Sequence, residues 1–142
     1  MDRRSFIRAG VLGGAATALV SNVAHADAGV AAKAAGAFYY TSANPGRWEK
    51  KVGGHLPLIQ VEKMSGGIKV QVTTPHEMNG YIHYIVKHTL LGKDMQVLGE
   101  TMFDPAKDKT PISLYTLKDY TGPIYALSMC NKHDVWMNEA QV

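Results

Sequence analysis

The feature that most restricts the fold of this chain is a succession of short, strand-like segments separated by turn signals. Within Ile68–Thr74, apolar and polar residues alternate, which is typical of a strand with one buried face. Residues 64–67 include two glycines and join this segment to Leu56–Lys63, which favours a β-hairpin. No long helical period competes with this pattern, so the sequence predicts a fold built from strands.

The strand pattern continues through the rest of the chain. His83–Leu91 and Met95–Phe103 are predicted to pair across a turn at residues 92–94, and Ile112–Leu117 and Ile124–Met129 are predicted as the last strands. Six or more short strands at this spacing predict an all-β fold, an antiparallel β-sandwich. Several methionines are interpreted as core filler, namely Met64, Met95, Met102 and Met129.

The first residues have the pattern of a targeting signal. Arg3 and Arg4 form a twin-arginine motif, Ala9–Val20 is a mild apolar stretch, and residues 24–26 have an A-x-A cleavage pattern. The apolar stretch is too short for a membrane-spanning helix. The sequence therefore predicts a twin-arginine signal peptide at residues 1–26, removal of that peptide, and a periplasmic protein that is not inserted in the membrane. Residues 27–47 are expected to form a flexible N-terminal lead-in, and residues 48–142 the domain.

Charge and cysteine content exclude some classes of protein. The net charge of +3 belongs mainly to the predicted signal, and removing its three arginines and one aspartate leaves +1. Because no basic cluster is interleaved with aromatic residues, a nucleic-acid partner is not expected. Cys130 is the only cysteine, so an internal disulfide is excluded, and metal ligation explains a lone thiol in an exported protein.

The metal-ligating residue types gather near the ends of predicted strands. Cys130 and His133 form a C-x-x-H motif that a tight turn can direct to one ion, and His55, His76 and His83 lie upstream. Thiolate is a soft donor, and imidazole suits iron, copper, zinc and nickel. His88 is five residues from His83, so a regular strand directs the two side chains to opposite faces, and His88 is interpreted as a packed or surface residue.

Four segments surround these residues, namely GHLPLI at 54–59, PHEM at 75–78, HYI at 83–85 and CNKHDVW at 130–136. Together and in this order they resemble the iron-binding domain of the superoxide reductases, the desulfoferrodoxin/neelaredoxin family. The resemblance extends over about residues 55–136. Four further cysteines, which a rubredoxin-like N-terminal domain would need, are absent.

The resemblance implies an immunoglobulin-like β-sandwich with a mononuclear, non-haem iron that cycles between Fe2+ and Fe3+. It implies His55, His76, His83 and His133 as equatorial ligands and Cys130 as the axial ligand, with an open sixth position. The implied activity is one-electron reduction of superoxide to hydrogen peroxide, an oxidoreductase function in the response to oxidative stress. Superoxide and a small electron-donor protein are the implied partners, and a homo-oligomer is allowed.

The sequence departs from the family pattern at several positions. Gly53 and Gly54 stand where the family usually has Glu-Lys before the first histidine, and Asp134 stands where glycine is common. Lys50 or Lys51 is the candidate catalytic substitute for the missing lysine, and a solvated surface pair is the alternative interpretation. Backbone N–H groups near Asn131 and Lys132 are expected to hydrogen-bond the sulfur of Cys130.

Two other functions remain open at this point. Cys130, His133 and Met137, with one upstream histidine, have the spacing of an exported copper electron-transfer protein. The same five residues could also form a non-catalytic iron-binding or sensing module.

Overall fold

A computed structural model describes residues 34–142, and the predicted signal peptide lies outside this range. The described residues form seven strands and three short helical segments. The strands are β1 Leu58–Met64, β2 Gly67–Thr73, β3 Ile85–Leu91, β4 Val97–Met102, β5 Ile112–Lys118, β6 Pro123–Cys130 and β7 Asp134–Gln141. The helical segments are a 3₁₀ helix at Gly46–Lys51, the one-turn α-helix α1 at Val52–His55, and a 3₁₀ turn at Gly80–Ile82. None of the helices described here is long and apolar enough to cross a membrane.

The strands form two antiparallel sheets, as the sequence predicted. One sheet has three strands in the order β1-β2-β5, and the other has four in the order β4-β3-β6-β7. The predicted hairpin is present, with Met64 paired to Gly67 across its turn. Alternating side chains of β2, β5 and β6 are buried, so the inner faces of the two sheets supply the core. This core consists of Ile68, Val70, Val72, Leu90, Tyr115, Leu117, Ile124 and Ala126.

Two sequence-based predictions are corrected by the fold. The last strand is β7 and not Ile124–Met129, because residues after the Cys130 turn pair along the whole of β6. The methionines predicted as core filler are not core residues: Met64, Met95 and Met102 are 43%, 56% and 64% exposed, and Met129 is half-buried. Met102 and Met129 both pair with Lys87 of β3, at outward-facing positions of the sheet. Alternation along a strand shows which residues share a face, but it does not show which of the two faces is buried.

The segment before β1 is tied to the sandwich by Tyr40, which is 1% exposed and packs 5.6 Å from the Trp136 ring. The 3₁₀ helix that follows begins at Gly46, whose φ is +48°. A Cβ at this position would lie 2.3 Å from the carbonyl oxygen of Gly36, so only glycine fits. This turn directs the helical segment across the end of the sandwich where β6 and β7 meet.

Candidate metal centre

Five side chains from separate parts of the chain converge at one end of the sandwich. His55 is the last residue of α1, His76 follows β2, and His83 precedes β3. Cys130 ends β6, and His133 lies in the turn between β6 and β7. The ligand atoms of His55, His76, His83 and Cys130 lie within 4.8 Å of one another. Nδ1 of His133 joins them, since it lies 2.9 Å from Nε2 of His55 and 3.0 Å from Nε2 of His83.

The four imidazoles form a closed ring. Neighbouring rings along the cycle His55, His76, His83, His133 have centroids 4.5–4.8 Å apart and planes 73–90° from each other. Across the cycle, the ring centroids of His55 and His83 are 5.9 Å apart and the two ring planes are 28° from parallel. The remaining nitrogen contact, Nε2 of His76 to Nε2 of His83, is 3.1 Å. The four rings therefore surround one central point, which all of these nitrogens approach.

The sulfur of Cys130 lies beside this ring of nitrogens. Sγ is 3.6 Å from Nδ1 of His133 and 3.9 Å from Nε2 of His76. The backbone N–H of Lys132 points to Sγ at 3.4 Å, as the sequence predicted. The backbone N–H of Asn131 instead donates to the carbonyl of Tyr84 at 3.2 Å, so that part of the prediction is wrong. A β-bulge in β3, beside the Ile85–Cys130 pair, adjusts the strand where it reaches the cysteine.

Burial and mutual repulsion keep the imidazoles neutral. Burial, followed by the charge of His76, lowers the pKa of His55 to about 4. Burial also lowers the pKa of His83 and His133, and the charges of Lys132 and Lys51 lower both further. Burial raises the pKa of Cys130, while the N–H groups of Lys132 and His133 act in the opposite direction. A thiol and four neutral imidazoles in one cluster are the donors that a cation would deprotonate or bind.

The arrangement fits a metal ion. Nδ1 of His133 lies about 3 Å from two other ring nitrogens at once, and a hydrogen on it can point at only one of them, whereas a cation at the centre would accept a lone pair from all three. A square with edges of about 3 Å has corners about 2.1 Å from its centre, which matches a metal–imidazole bond. Nδ1 of His55 donates to the carbonyl of Lys51 at 3.0 Å, which leaves Nε2 free to face the centre. Four nitrogens and a thiolate exceed the four ligands of a structural zinc site.

Asn131 holds the loop that carries His83, a role that the sequence prediction did not assign to its side chain. Its Oδ1 accepts from the N–H of Tyr84 at 3.0 Å, and its Nδ2 donates to the carbonyls of Tyr81 and Ile82, both at 3.2 Å. These bonds fix the loop to the residue after Cys130. The signal available in the sequence was its position in the CNKH segment.

Trp48 and Asp134 border the site on the side of His133. The Trp48 ring meets the His133 ring edge-on, with centroids 4.7 Å apart at 84°. Oδ2 of Asp134 accepts from Nε1 of Trp48 at 2.9 Å and from the guanidinium of Arg47. Hydrogen bonds from Arg47 and Trp48 hold the pKa of Asp134 below its ordinary value. Trp136 is fully buried behind the site and donates to the carbonyl of His133 at 2.9 Å.

The other sequence-predicted residues fall outside the ring. His88 is fully buried in the core and belongs to a separate hydrogen-bond network. Lys50 and Lys51 are exposed on the 3₁₀ helix, and only Lys51 acts through its charge on His83 and His133. Met137 pairs with Leu127, whose side chain points to the opposite face of β6 from Cys130. The side chain of Met137 therefore lies on the outer face of the sheet.

The chain is similar to known proteins over most of the described residues. The sequence model of the desulfoferrodoxin family matches residues 46–139. A superoxide reductase of Pyrococcus abyssi (strain GE5 / Orsay) is 31% identical over 100 residues, which cover 62% of this chain and 86% of that protein.

Two solved structures show the same likeness in three dimensions. The neelaredoxin superoxide reductase of Ignicoccus hospitalis is 27% identical with a TM-score of 0.62, covering 74% of this chain and 94% of that one. A single-residue variant of the neelaredoxin superoxide reductase of Archaeoglobus fulgidus, in the reduced form, is 25% identical with a TM-score of 0.55, covering 67% of this chain and 91% of that one. The match to the family model, which spans most of the sandwich and all five converging side chains, shows that this chain belongs to the desulfoferrodoxin family.

Proposed function

We propose that this protein is a superoxide reductase that holds one non-haem iron with His55, His76, His83, His133 and Cys130. The observation that carries the proposal is the closed ring of four imidazoles with a thiol beside it. Membership of the desulfoferrodoxin family supports the same conclusion.

Iron held by these residues would supply one-electron redox chemistry between Fe2+ and Fe3+, and superoxide would take up that electron and two protons from solvent to leave as hydrogen peroxide. The protein's part is to keep the donors in place and the sulfur ionised. The N–H of Lys132 directs a partial positive charge at Sγ of Cys130, which favours the thiolate. A thiolate ligand raises the electron density at a metal more than a fifth imidazole would.

The substrate is an anion, and two lysines act on the exposed side of the site, opposed by Glu77 at His83 and by Asp134 at His133. His83 and His133 are the more exposed members of the ring, and Lys51 and Lys132 are the charges that act on both. A positive entrance raises the rate at which an anion reaches a site. Lys51 is therefore proposed for the role of the family's missing lysine, with Lys50 as its exposed neighbour. Lys132 is a further contributor that sequence reasoning had not assigned to this role.

The copper alternative is not supported, because Met137 does not face the same side of the sheet as Cys130. Partners in an antiparallel register share a face, so Met137 faces outward with Leu127 whereas Cys130 faces inward. A copper carrier of the proposed type would also leave two of the converging histidines without a function. The non-catalytic alternative uses the same five residues and is separated by assay, since it predicts iron without turnover of superoxide.

Export and partners are also proposed. The twin-arginine motif at Arg3 and Arg4 supports a periplasmic protein that is loaded with iron before export. A small donor protein would return the iron to Fe2+ after each turnover, and self-association is allowed. Mass measurement of the exported protein tests the cleavage after Ala26.

The experiment is iron analysis and superoxide consumption by the wild type and by Cys130→Ser. We expect one iron per chain in the wild type and loss of both the thiolate-to-iron absorption and the activity in the variant. Ser128→Ala, two residues upstream on the same face of β6, is the matched control and should keep both. A Cys130→Ser protein that still reduces superoxide would refute the mechanism, and iron without superoxide consumption in the wild type would favour the non-catalytic module.

A further inference from the structure

We propose that Asp134 is a positioning residue for the metal site, which it serves by holding Trp48 against the ligand His133. This inference rests on the proposed iron site but not on the reaction assigned to it. It starts from the backbone of Asp134, which has a positive φ although the residue is not glycine.

The backbone of Asp134 has a conformation that favours glycine. Its φ is +62°, in the left-handed region, directly after His133 and opposite Cys130 in the register. Aspartate tolerates this region better than most residues, but it still pays a conformational cost there that glycine would avoid. A side chain kept at such a position needs an interaction that compensates for it.

The carboxylate supplies that interaction. A single oxygen, Oδ2, accepts hydrogen bonds from Arg47 and from Nε1 of Trp48, residues that are 87 and 86 positions away in the chain. The guanidinium of Arg47 also lies 4.9 Å from the centre of the Trp48 ring. Each of the three groups therefore contacts the other two, so that the orientation of the indole is determined on two sides.

Stability is a weak reason for this arrangement. The side chains of Arg47 and Asp134 are 65% and 38% exposed, and ion pairs with this exposure add little to the free energy of unfolding. The more informative contact is the one that the arrangement produces, namely the perpendicular packing of the Trp48 and His133 rings, whose centroids lie 4.7 Å apart. A ring held in this way cannot turn its nitrogen out of the site without displacing the indole.

The same helical segment reaches a second ligand. Trp48 and Lys51 lie three residues apart in the Gly46–Lys51 helical segment, which is kinked at Trp48, and the carbonyl of Lys51 accepts from Nδ1 of His55 at 3.0 Å. Anchoring this helix at Asp134 therefore supports His133 through Trp48 and His55 through Lys51. Contacts of this outer kind change metal affinity by roughly 10- to 100-fold when they are removed.

The test compares Asp134→Gly, Asp134→Asn and Arg47→Gln with the wild type. The matched control is Asp119→Gly, since Asp119 also has a positive φ, +47°, but lies in the connection between β5 and β6, away from the site. We expect the release of iron to a chelator to become roughly 10-fold faster in Asp134→Gly and Arg47→Gln. The electron paramagnetic resonance spectrum of the ferric form should change with it, and Asp119→Gly should match the wild type in both.

A second readout needs neither iron nor activity. In the metal-free protein, the indole N–H of Trp48 should exchange with solvent more slowly in the wild type than in Asp134→Gly or Arg47→Gln. Wild-type iron release and wild-type indole exchange in these variants would overturn the proposal, as would equal changes in Asp119→Gly. A wild type that holds iron without reducing superoxide would refute the reaction and leave this proposal standing. Asp134→Asn keeps an oxygen that can accept both hydrogen bonds but loses the charge, so its iron release should lie between that of the wild type and that of Asp134→Gly. If Asp134→Gly does not fold, Arg47→Gln decides the matter.

Discussion

Lowering the pH should destabilise this protein through a histidine that has no part in the metal site. His88 is fully buried; its Nε2 lies 2.8 Å from Oγ1 of Thr74 and its Nδ1 lies 2.9 Å from Oγ of Ser113. Oγ1 of Thr74 gives its single hydrogen to Ser128, 2.7 Å away, so it must accept from Nε2 of His88. Burial favours the neutral form of this ring, and in that form Nδ1 accepts from the hydroxyl of Ser113.

The size of the effect follows from the shift in pKa. Burial lowers the pKa of His88 from 6.5 to about 4, so the unfolded chain takes up this proton before the folded chain does. The stabilisation is therefore complete above the unfolded value of 6.5 and is lost as the pH falls towards 4. The pKa of His88 differs by roughly two to two and a half units between the unfolded and folded states. At 1.36 kcal/mol per unit, this difference corresponds to about 3 kcal/mol of stability.

Urea unfolding of the metal-free protein at pH 7 and pH 4 measures this contribution. His88→Gln is the comparison, because glutamine can hydrogen-bond in the same place but does not titrate. Other groups lose the same stability in both proteins, so the wild type should lose about 3 kcal/mol more than the variant. An equal loss in the two proteins would refute the argument from burial.

Three further predictions concern the site and its surroundings. Met137→Leu should leave the iron content and the absorption spectrum unchanged, since Met137 faces away from Cys130; a shifted spectrum would revive the copper alternative. Lys132→Met should slow the reaction with superoxide severalfold at low ionic strength, with Lys132→Arg as the control, and a difference that persists in high salt would contradict steering by charge. Asn131→Ala should lower the free energy of unfolding by about 1 to 2 kcal/mol and weaken iron binding, as measured by urea unfolding and chelator competition, because three hydrogen bonds to the His83 loop are lost.

The strands were predictable because alternation is a local property. The buried face of β2 and the hairpin between β1 and β2 follow from neighbouring residues alone. β7 was missed for the same reason: Asp134–Gln141 alternates poorly, and its pairing with β6 defines it as a strand. The exposed methionines also escaped prediction, because apolar residues occur on outer sheet faces as well as in cores.

The sequence by itself determined the residue types of the candidate metal site, since a lone cysteine and the histidines around it already restrict the chemistry to a few metals. It also determined an antiparallel sandwich, through the short period of its strands. The family resemblance already implied which four histidines meet, and side-chain alternation already set His88 apart. Only the tertiary structure decided the cyclic order of the four rings and that Met137 faces away from them. The physical reason is distance along the chain, since His55 and His133 are 78 residues apart. The pairing of strands built from other residues brings Nε2 of His55 to within 2.9 Å of Nδ1 of His133.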